Sequence, residues 1–204
     1  FIELLTDSLA FGTLRLENDS TTVVRLRNPG QGTFVVEQLA LDGEQGFSIV
    51  NLPSLPVALS EGDSLRISVK FDPTVSGSAA DTLRIVGSDT AFSVPLSGLG
   101  IQPIISVDLD VLDFGNLVSA TDSTRSVIIR NTGNGAFVVD SLKLSGHSSF
   151  VIVKSPVSPA TLAANGGSDT VSVRFTPPDL GSYSGMLTFF SEKQVWEVSL
   201  TGVS

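Results

Sequence analysis

A single histidine and the absence of cysteine narrow the chemistry open to this chain. His147 stands in Ser145-Gly146-His147-Ser148-Ser149, where a serine nucleophile and its base would lie close together. Such a pair also needs a carboxylate to orient the imidazole and a sharp strand-to-helix turn to expose the hydroxyl. Neither is legible nearby, and the position 103 residues earlier is Glu44, in the equally polar turn Asp42-Gly43-Glu44-Gln45-Gly46. His147 therefore reads as a solvated loop residue. Asp108-Leu109-Asp110-Val111-Leu112-Asp113 opens like a calcium loop, but Asp113 and Ser119 occupy the places of the glycine and the closing glutamate. Strand alternation explains this run better, with the carboxylates facing water while Leu109, Val111 and Phe114 or their neighbours pack. An adventitious cation there is the open alternative. Trp196 could stack on a sugar, yet Phe92 stands 104 residues earlier, so both read as core aromatics. Asn18-Asp19-Ser20 is a glycosylation sequon in an expected loop. No catalytic, cofactor-binding or metal-binding residue is assigned, no cofactor is expected, and the chain reads as a non-enzyme.

Composition agrees. Twelve Lys+Arg against 21 Asp+Glu give a net charge of −9, so binding to a phosphate backbone would oppose the field of the whole molecule. The absence of cysteine excludes disulfide scaffolds, thiolate metal sites and cysteine nucleophiles, and one histidine excludes multi-histidine centres. A hydrophobic fraction of 41% supports a packed core, while no apolar run nears the roughly 20 residues of a membrane helix. The 204 residues exceed one ordinary domain, and the start at Phe1 without a leader pattern suggests a piece of a longer protein.

The elements behind these residues come from an internal repeat. Phe11-Gly12 returns as Phe114-Gly115, Arg27-Asn28 as Arg130-Asn131 and Phe34-Val35-Val36 as Phe137-Val138-Val139, each 103 residues on. Beyond that the shift is 104: Val69-Lys70-Phe71 matches Val173-Arg174-Phe175, and Leu96-Ser97-Gly98 matches Leu200-Thr201-Gly202. One residue is therefore inserted between Val153 and Val171. Eight of the twelve Phe pair between copies (Phe11/Phe114, Phe34/Phe137, Phe47/Phe150, Phe71/Phe175), as core positions would. Tyr183 has Ala79 as its counterpart and is expected to hydrogen-bond a nearby loop. Leu65, Ile67, Val69 and Phe71 alternate with polar residues, as do Trp196, Val198 and Leu200, which is the period of half-buried strands. Turn clusters such as Asn28-Pro29-Gly30-Gln31-Gly32 and Asn165-Gly166-Gly167 separate these runs. About seven short strands per hundred residues read as immunoglobulin-type antiparallel β-sandwiches without the usual disulfide.

Leu9-Ala10-Phe11-Gly12 and Leu112-Asp113-Phe114-Gly115, the Arg-Asn turns, Val69-Lys70-Phe71-Asp72-Pro73 and Val173-Arg174-Phe175-Thr176-Pro177, and the terminal Leu-Ser/Thr-Gly segments occur in order in each copy. This ordered set resembles the ASH (abnormal-spindle/hydin) domains and the bacterial choice-of-anchor D modules. The resemblance implies an all-β chain of two tandem immunoglobulin-like, major-sperm-protein-like sandwiches, at residues 1–101 and 102–204. It also implies a non-enzymatic structural or interaction role.

The leading expectation is a spacer and protein-interaction module, monomeric, within a multi-domain bacterial surface or secreted protein. The alternatives are an intracellular ciliary or centrosomal scaffold, and a glycan- or peptide-binding accessory domain of an exported hydrolase. A protein or peptide partner would add to an exposed edge strand, near the first strand or the one after the Phe34/Phe137 segment. Nucleic acid is not expected as a partner. Only Ile101-Gln102-Pro103 separates the copies, which on chain reach and proline stiffness favours an elongated pair with Ile101 or Ile104 packed at the junction.

Overall fold

The computed structural model describes residues 2–43, 45–191 and 193–204. It divides into two compact units, Phe1–Gln102 and Pro103–Ser204. No helix occurs among the described residues, and none is therefore long and apolar enough to cross a membrane.

In the first unit the strands are β1 (Glu3–Leu4), β2 (Leu9–Arg15), β3 (Ser20–Arg27), β4 (Phe34–Leu41), β5 (Phe47–Val50), β6 (Val57–Leu59), β7 (Ser64–Phe71), β8 (Gly77–Gly87) and β9 (Ala91–Ile101). They form two sheets, β1-β3-β7-β5 and β2-β9-β8-β4-β6. In the second unit they are β10 (Ile105–Val107), β11 (Val111–Asn116), β12 (Ser123–Asn131), β13 (Phe137–Val139), β14 (Ser141–Gly146), β15 (Phe150–Lys154), β16 (Ala160–Leu162), β17 (Gly167–Phe175), β18 (Ser182–Phe190) and β19 (Val195–Val203). Their sheets are β10-β12-β17-β15, β11-β19-β18-β14 and the short pair β13-β16. The strand count exceeds the expected seven per copy because two- and three-residue edge strands add to the main ladders. One parallel pairing per unit, β2 with β9 and β11 with β19, joins the otherwise antiparallel set.

The repeated motifs explain this architecture. Gly12 and Gly115 sit at φ +70° and +68°, where their strands slip register against the partner, so the Phe-Gly pair is a bulge that needs a left-handed residue. The preceding Phe enters the core. Phe11, Phe47 and Phe71 meet with centroid separations of 5.6, 5.7 and 4.6 Å, and Phe114, Phe150 and Phe175 with 5.6, 5.5 and 4.7 Å. A side chain at Gly98 would sit 2.4 Å from the Phe71 ring, and one at Gly202 would sit 2.4 Å from Phe175. The terminal glycine of each copy is thus the floor on which the central phenylalanine lies. Phe71 and Phe175 are fully buried.

The Asn of each Arg-Asn turn is also buried. Asn28 Nδ2 donates to the carbonyls of Gly32 (2.8 Å) and Leu59 (2.9 Å), and its Oδ1 accepts from the Gly30 N–H (3.1 Å). Asn131 repeats this toward Gly135 (2.7 Å), Leu162 (3.2 Å) and Gly133 (3.1 Å). These bonds pin the turn after β3 or β12 to the end of β6 or β16, satisfying backbone groups that burial would otherwise leave unpaired. They also locate the inserted residue. Leu59 and Leu162 keep the 103 shift, whereas Gly62 and Gly166, which donate to the Asn28 and Asn131 carbonyls, are 104 apart. The insertion lies within 163–165.

The expected phase of the acidic run needs correction. Leu109 and Val111 are exposed, while Leu112 and Phe114 are buried. The parallel register sets Leu112 opposite the inward Leu200 and so turns Val111 outward. Ile104 is exposed as well. Its main-chain N–H donates to Asn131 Oδ1 and its carbonyl accepts the Thr132 N–H, so its backbone is held in place.

Candidate functional site

The residues that could do chemistry are placed separately and are mostly occupied in shaping turns. His147 follows β14 and is exposed. Its Nδ1 accepts the Ser149 N–H at 3.2 Å and lies 2.8 Å from Ser149 Oγ. Because Nδ1 accepts from the backbone, the ring proton sits on Nε2 and the Ser149 hydroxyl donates. The hydroxyl proton is therefore committed to closing a three-residue turn. The imidazole stands edge-on to Tyr183, with centroids 4.8 Å apart. No carboxylate contacts His147 among the described residues, and Glu44 lies outside them. The histidine is thus exposed in its loop and held in place there by Ser149 and Tyr183.

Tyr183 behaves as expected of a corner tyrosine. Its hydroxyl donates to the Asp179 carbonyl at 2.8 Å and accepts the Asp179 N–H at 3.3 Å, while its ring packs 5.5 Å from Phe175. Trp196 is half-buried and T-shaped against Phe137 at 5.4 Å, and Phe92 is half-buried at the matching place. The tryptophan is therefore an element of the core rim.

The three aspartates of the acidic run serve different partners. Asp108 Oδ1 accepts the Ile128 N–H at 2.7 Å. The Asp110 carbonyl accepts the Ser199 N–H at 2.9 Å. Asp113 Oδ1 accepts the Gly115 N–H and the Thr201 hydroxyl, both at 3.0 Å. Those two bonds, the backbone one foremost, lower the Asp113 pKa below the ordinary carboxylate value. Among the described residues, no group of three or more His, Asp or Glu is arranged to hold a metal ion. Asn18 of the sequon is exposed in the turn between β2 and β3.

Three sets of polar contacts escaped sequence reading. Arg84 pairs with Asp42 between β8 and the end of β4, which raises the arginine pKa. Asp81 Oδ1 accepts the N–H groups of Gly43 (2.9 Å) and Thr82 (2.7 Å), while its Oδ2 is buried with no hydrogen-bond partner. Lys70 bridges Asp72 (2.8 Å) and Asp19 (3.3 Å), with Asp72 the stronger influence raising its pKa. Arg84 with Asp42, Gly43 with Asp81 and Lys70 with Asp19 join residues far apart in sequence, and no period or motif marks those pairings.

The open backbone edges are clearer than any side-chain cluster. The outer strands of the larger sheets are β1, β5, β2 and β6 in the first unit, and β10, β15, β11 and β14 in the second. The first strand and the strands after the Phe34 and Phe137 segments are among them.

Known proteins agree with this architecture. Residues 5–93 match the ASH family, described as abnormal spindle-like microcephaly-associated, ASPM-SPD-2-Hydin. Residues 103–201 match the HYDIN/CFA65/VesB-like Ig-like domain. Human cilia- and flagella-associated protein 74 is 28% identical over 78 residues, covering 38% of this chain and 5% of that protein. The chain thus spans only a small part of this curated relative. Mouse clustered PcdhgC3 EC1-3 superposes with a TM-score of 0.56 at 9% identity, covering 99% of this chain and 67% of the other, a likeness of fold alone. A Porphyromonas gingivalis W83 protein of unknown function aligns over 100% of this chain and 99% of its own, at 12% identity and a TM-score of 0.42. The chain is a tandem of two immunoglobulin-like β-sandwich domains, the first matching the ASH family and the second the HYDIN/CFA65/VesB-like Ig-like family.

Proposed function

We propose that this tandem is a non-catalytic spacer and protein-interaction module of a larger bacterial surface or secreted protein, of the choice-of-anchor D kind. The observation that carries the reading is where the polar chemistry goes. His147, Ser149, Tyr183, Asp113 and the two buried Asn all close turns or bulges of their own domain. The main chain of the outer strands is available to a partner, a resource suited to strand addition rather than to bond-making. The short connection Ile101-Gln102-Pro103 supports the spacer role on chain reach alone.

The likeness to cilia- and flagella-associated protein 74 favours one second reading, an intracellular scaffold of cilia or centrosomes. Protease treatment of intact source cells separates the two. Loss of the tandem from intact cells supports surface display, and protection until lysis overturns it in favour of the scaffold. Small-angle scattering tests the spacer role independently: a radius of gyration near 17 Å, roughly that of one compact 204-residue globule, overturns it.

A further inference from the structure

Strand β14 differs from the other sheet edges in its regularity. Strands β1, β6 and β10 have two or three residues, β2 and β11 slip register at their glycine bulges, β15 slips between Ile152 and Lys154, and β5 has four residues. β14 instead pairs all six residues with β18 without a shift, from Ser141 opposite Phe190 to Gly146 opposite Gly185. Just beyond it, the His147 N–H donates to the Ser184 carbonyl at 3.0 Å. Antiparallel pairs alternate between bonded and open, so Ser145 and Lys143 turn their main-chain groups toward β18. Leu142, Leu144 and Gly146 consequently direct theirs to the open side.

The side chains define what would fit there. Leu142 and Leu144 point to the core yet stay half-buried, whereas Leu39, the counterpart of Leu142, is buried. Between them Lys143 projects from the outer face, exposed and with no ion partner among the described residues. Neither β14, nor the turn at 147–149, nor β15 contains an acidic residue, although the chain as a whole carries −9. A lysine at the middle of an edge discourages indiscriminate pairing and selects a strand of opposite charge.

We infer that β14 is the docking strand for an extended peptide segment of a partner protein, which adds to the sheet beyond β14 with an acidic side chain facing Lys143 and apolar side chains covering Leu142 and Leu144. This site rests on the interaction role proposed above and specifies it.

The probes are two capped nine-residue peptides of alternating threonine and valine, differing only in a central glutamate or lysine placed among the threonines. Each is titrated into the full chain and followed by amide chemical shifts and amide exchange. The expected result is that shifts centre on β14, with slowed exchange at Leu142, Leu144 and Gly146. The glutamate peptide binds about fivefold tighter than the lysine peptide, the scale of an exposed cross-strand charge pair. Lys143→Glu, a surface change that leaves the core intact, reverses that preference. Leu144→Pro removes an outward N–H without touching the ladder to β18, and abolishes binding. Shifts centred on another edge, an unchanged preference in Lys143→Glu, or no shift with either peptide would each overturn the β14 site. None of these outcomes alters the protease or scattering result that decides the broader function.

Discussion

In the first domain, Arg84 reaches Asp42 and the Asp81 carboxylate holds the Gly43 N–H, so ions close the corner where β4 leaves its sheet. In the second, Ser145 and Gly185 stand at the matching positions, and His147, Ser149 and Tyr183 close that corner by turn hydrogen bonds and ring contact. Lys70, tied to Asp72 and Asp19, has Arg174 as its counterpart, which makes no ion pair among the described residues. Beneath these differences the phenylalanine clusters, the buried Asn and the glycine bulges repeat almost unchanged. A ring fully enclosed by neighbours tolerates few alternatives, because any change of volume leaves a void or a clash. A solvent-facing corner needs only some set of partners for its turn, and water fills the remainder. The interior therefore reports shared architecture, and the rim is where the domains can differ in what they bind.

The strongest way to break this comparison is to remove the central rings. Phe71→Ala and Phe175→Ala should each destabilise their own domain by about 3–5 kcal/mol, since both rings are fully buried in matching clusters. Trp196 is the single tryptophan and belongs to the second domain, so its fluorescence in a urea titration follows that domain, while far-UV dichroism follows both. Either mutant within about 1 kcal/mol of wild type would show that its cluster is not the structural centre.

The buried asparagines should come next. Asn28→Ala and Asn131→Ala strand at least two carbonyls and an N–H apiece, so a loss of about 2–3 kcal/mol is expected in each domain. Asn131 should be the costlier, because it also accepts the Ile104 N–H at 3.2 Å. A markedly smaller loss at Asn131 than at Asn28 in the same titration would mean that water replaces its bonds. The bulges are a finer probe. Gly12→Ala and Gly115→Ala force a side chain into the left-handed region with open space around it, so backbone strain alone should cost about 1–2 kcal/mol in either domain. Unequal costs would show that one bulge relaxes and the other does not.

The interior was largely legible in the sequence because its determinants are periodic and duplicated. Alternation marked Val69 and Phe71 as core, and the 103–104 shift paired the phenylalanines. What remained hidden depends on contacts across strands. The outward phase of Val111 is set by a parallel pairing with β19, some ninety residues away, that local alternation does not encode. The same holds for Arg84 with Asp42, and for the Tyr183 ring against His147. The motif reading recognised Asn28 and Asn131, but which carbonyls they bridge emerges only when β6 and β16 come alongside. The candidate site was legible at the level of open edges and no further, since the unbroken register of β14 is a property of its pairing with β18.

The smallest effect distinguishes the domains by pH. Asp113 occupies the bulge of the second domain, and Ala10 stands at the corresponding place in the first. The Gly115 N–H, and after it the Thr201 hydroxyl, bind the ionised carboxylate and lower its pKa in the folded state. A depressed folded pKa means that the unfolded chain takes up the proton first as acid is added. The stabilisation is therefore complete above the ordinary carboxylate pKa, and is lost as pH falls through the lower folded value. The first domain has no such group at its bulge. Asp113→Ala should thus flatten the acid limb of the second domain's stability, read by Trp196 fluorescence in urea titrations between neutral pH and about pH 3. Asp113→Asn retains an acceptor for Gly115 without the charge, so it should keep more of the neutral-pH stability than the alanine variant while showing the same flattened limb. If the acid limb of Asp113→Asn matches wild type, other carboxylates govern the acid response, and the two bulges differ in sequence without differing in electrostatic behaviour.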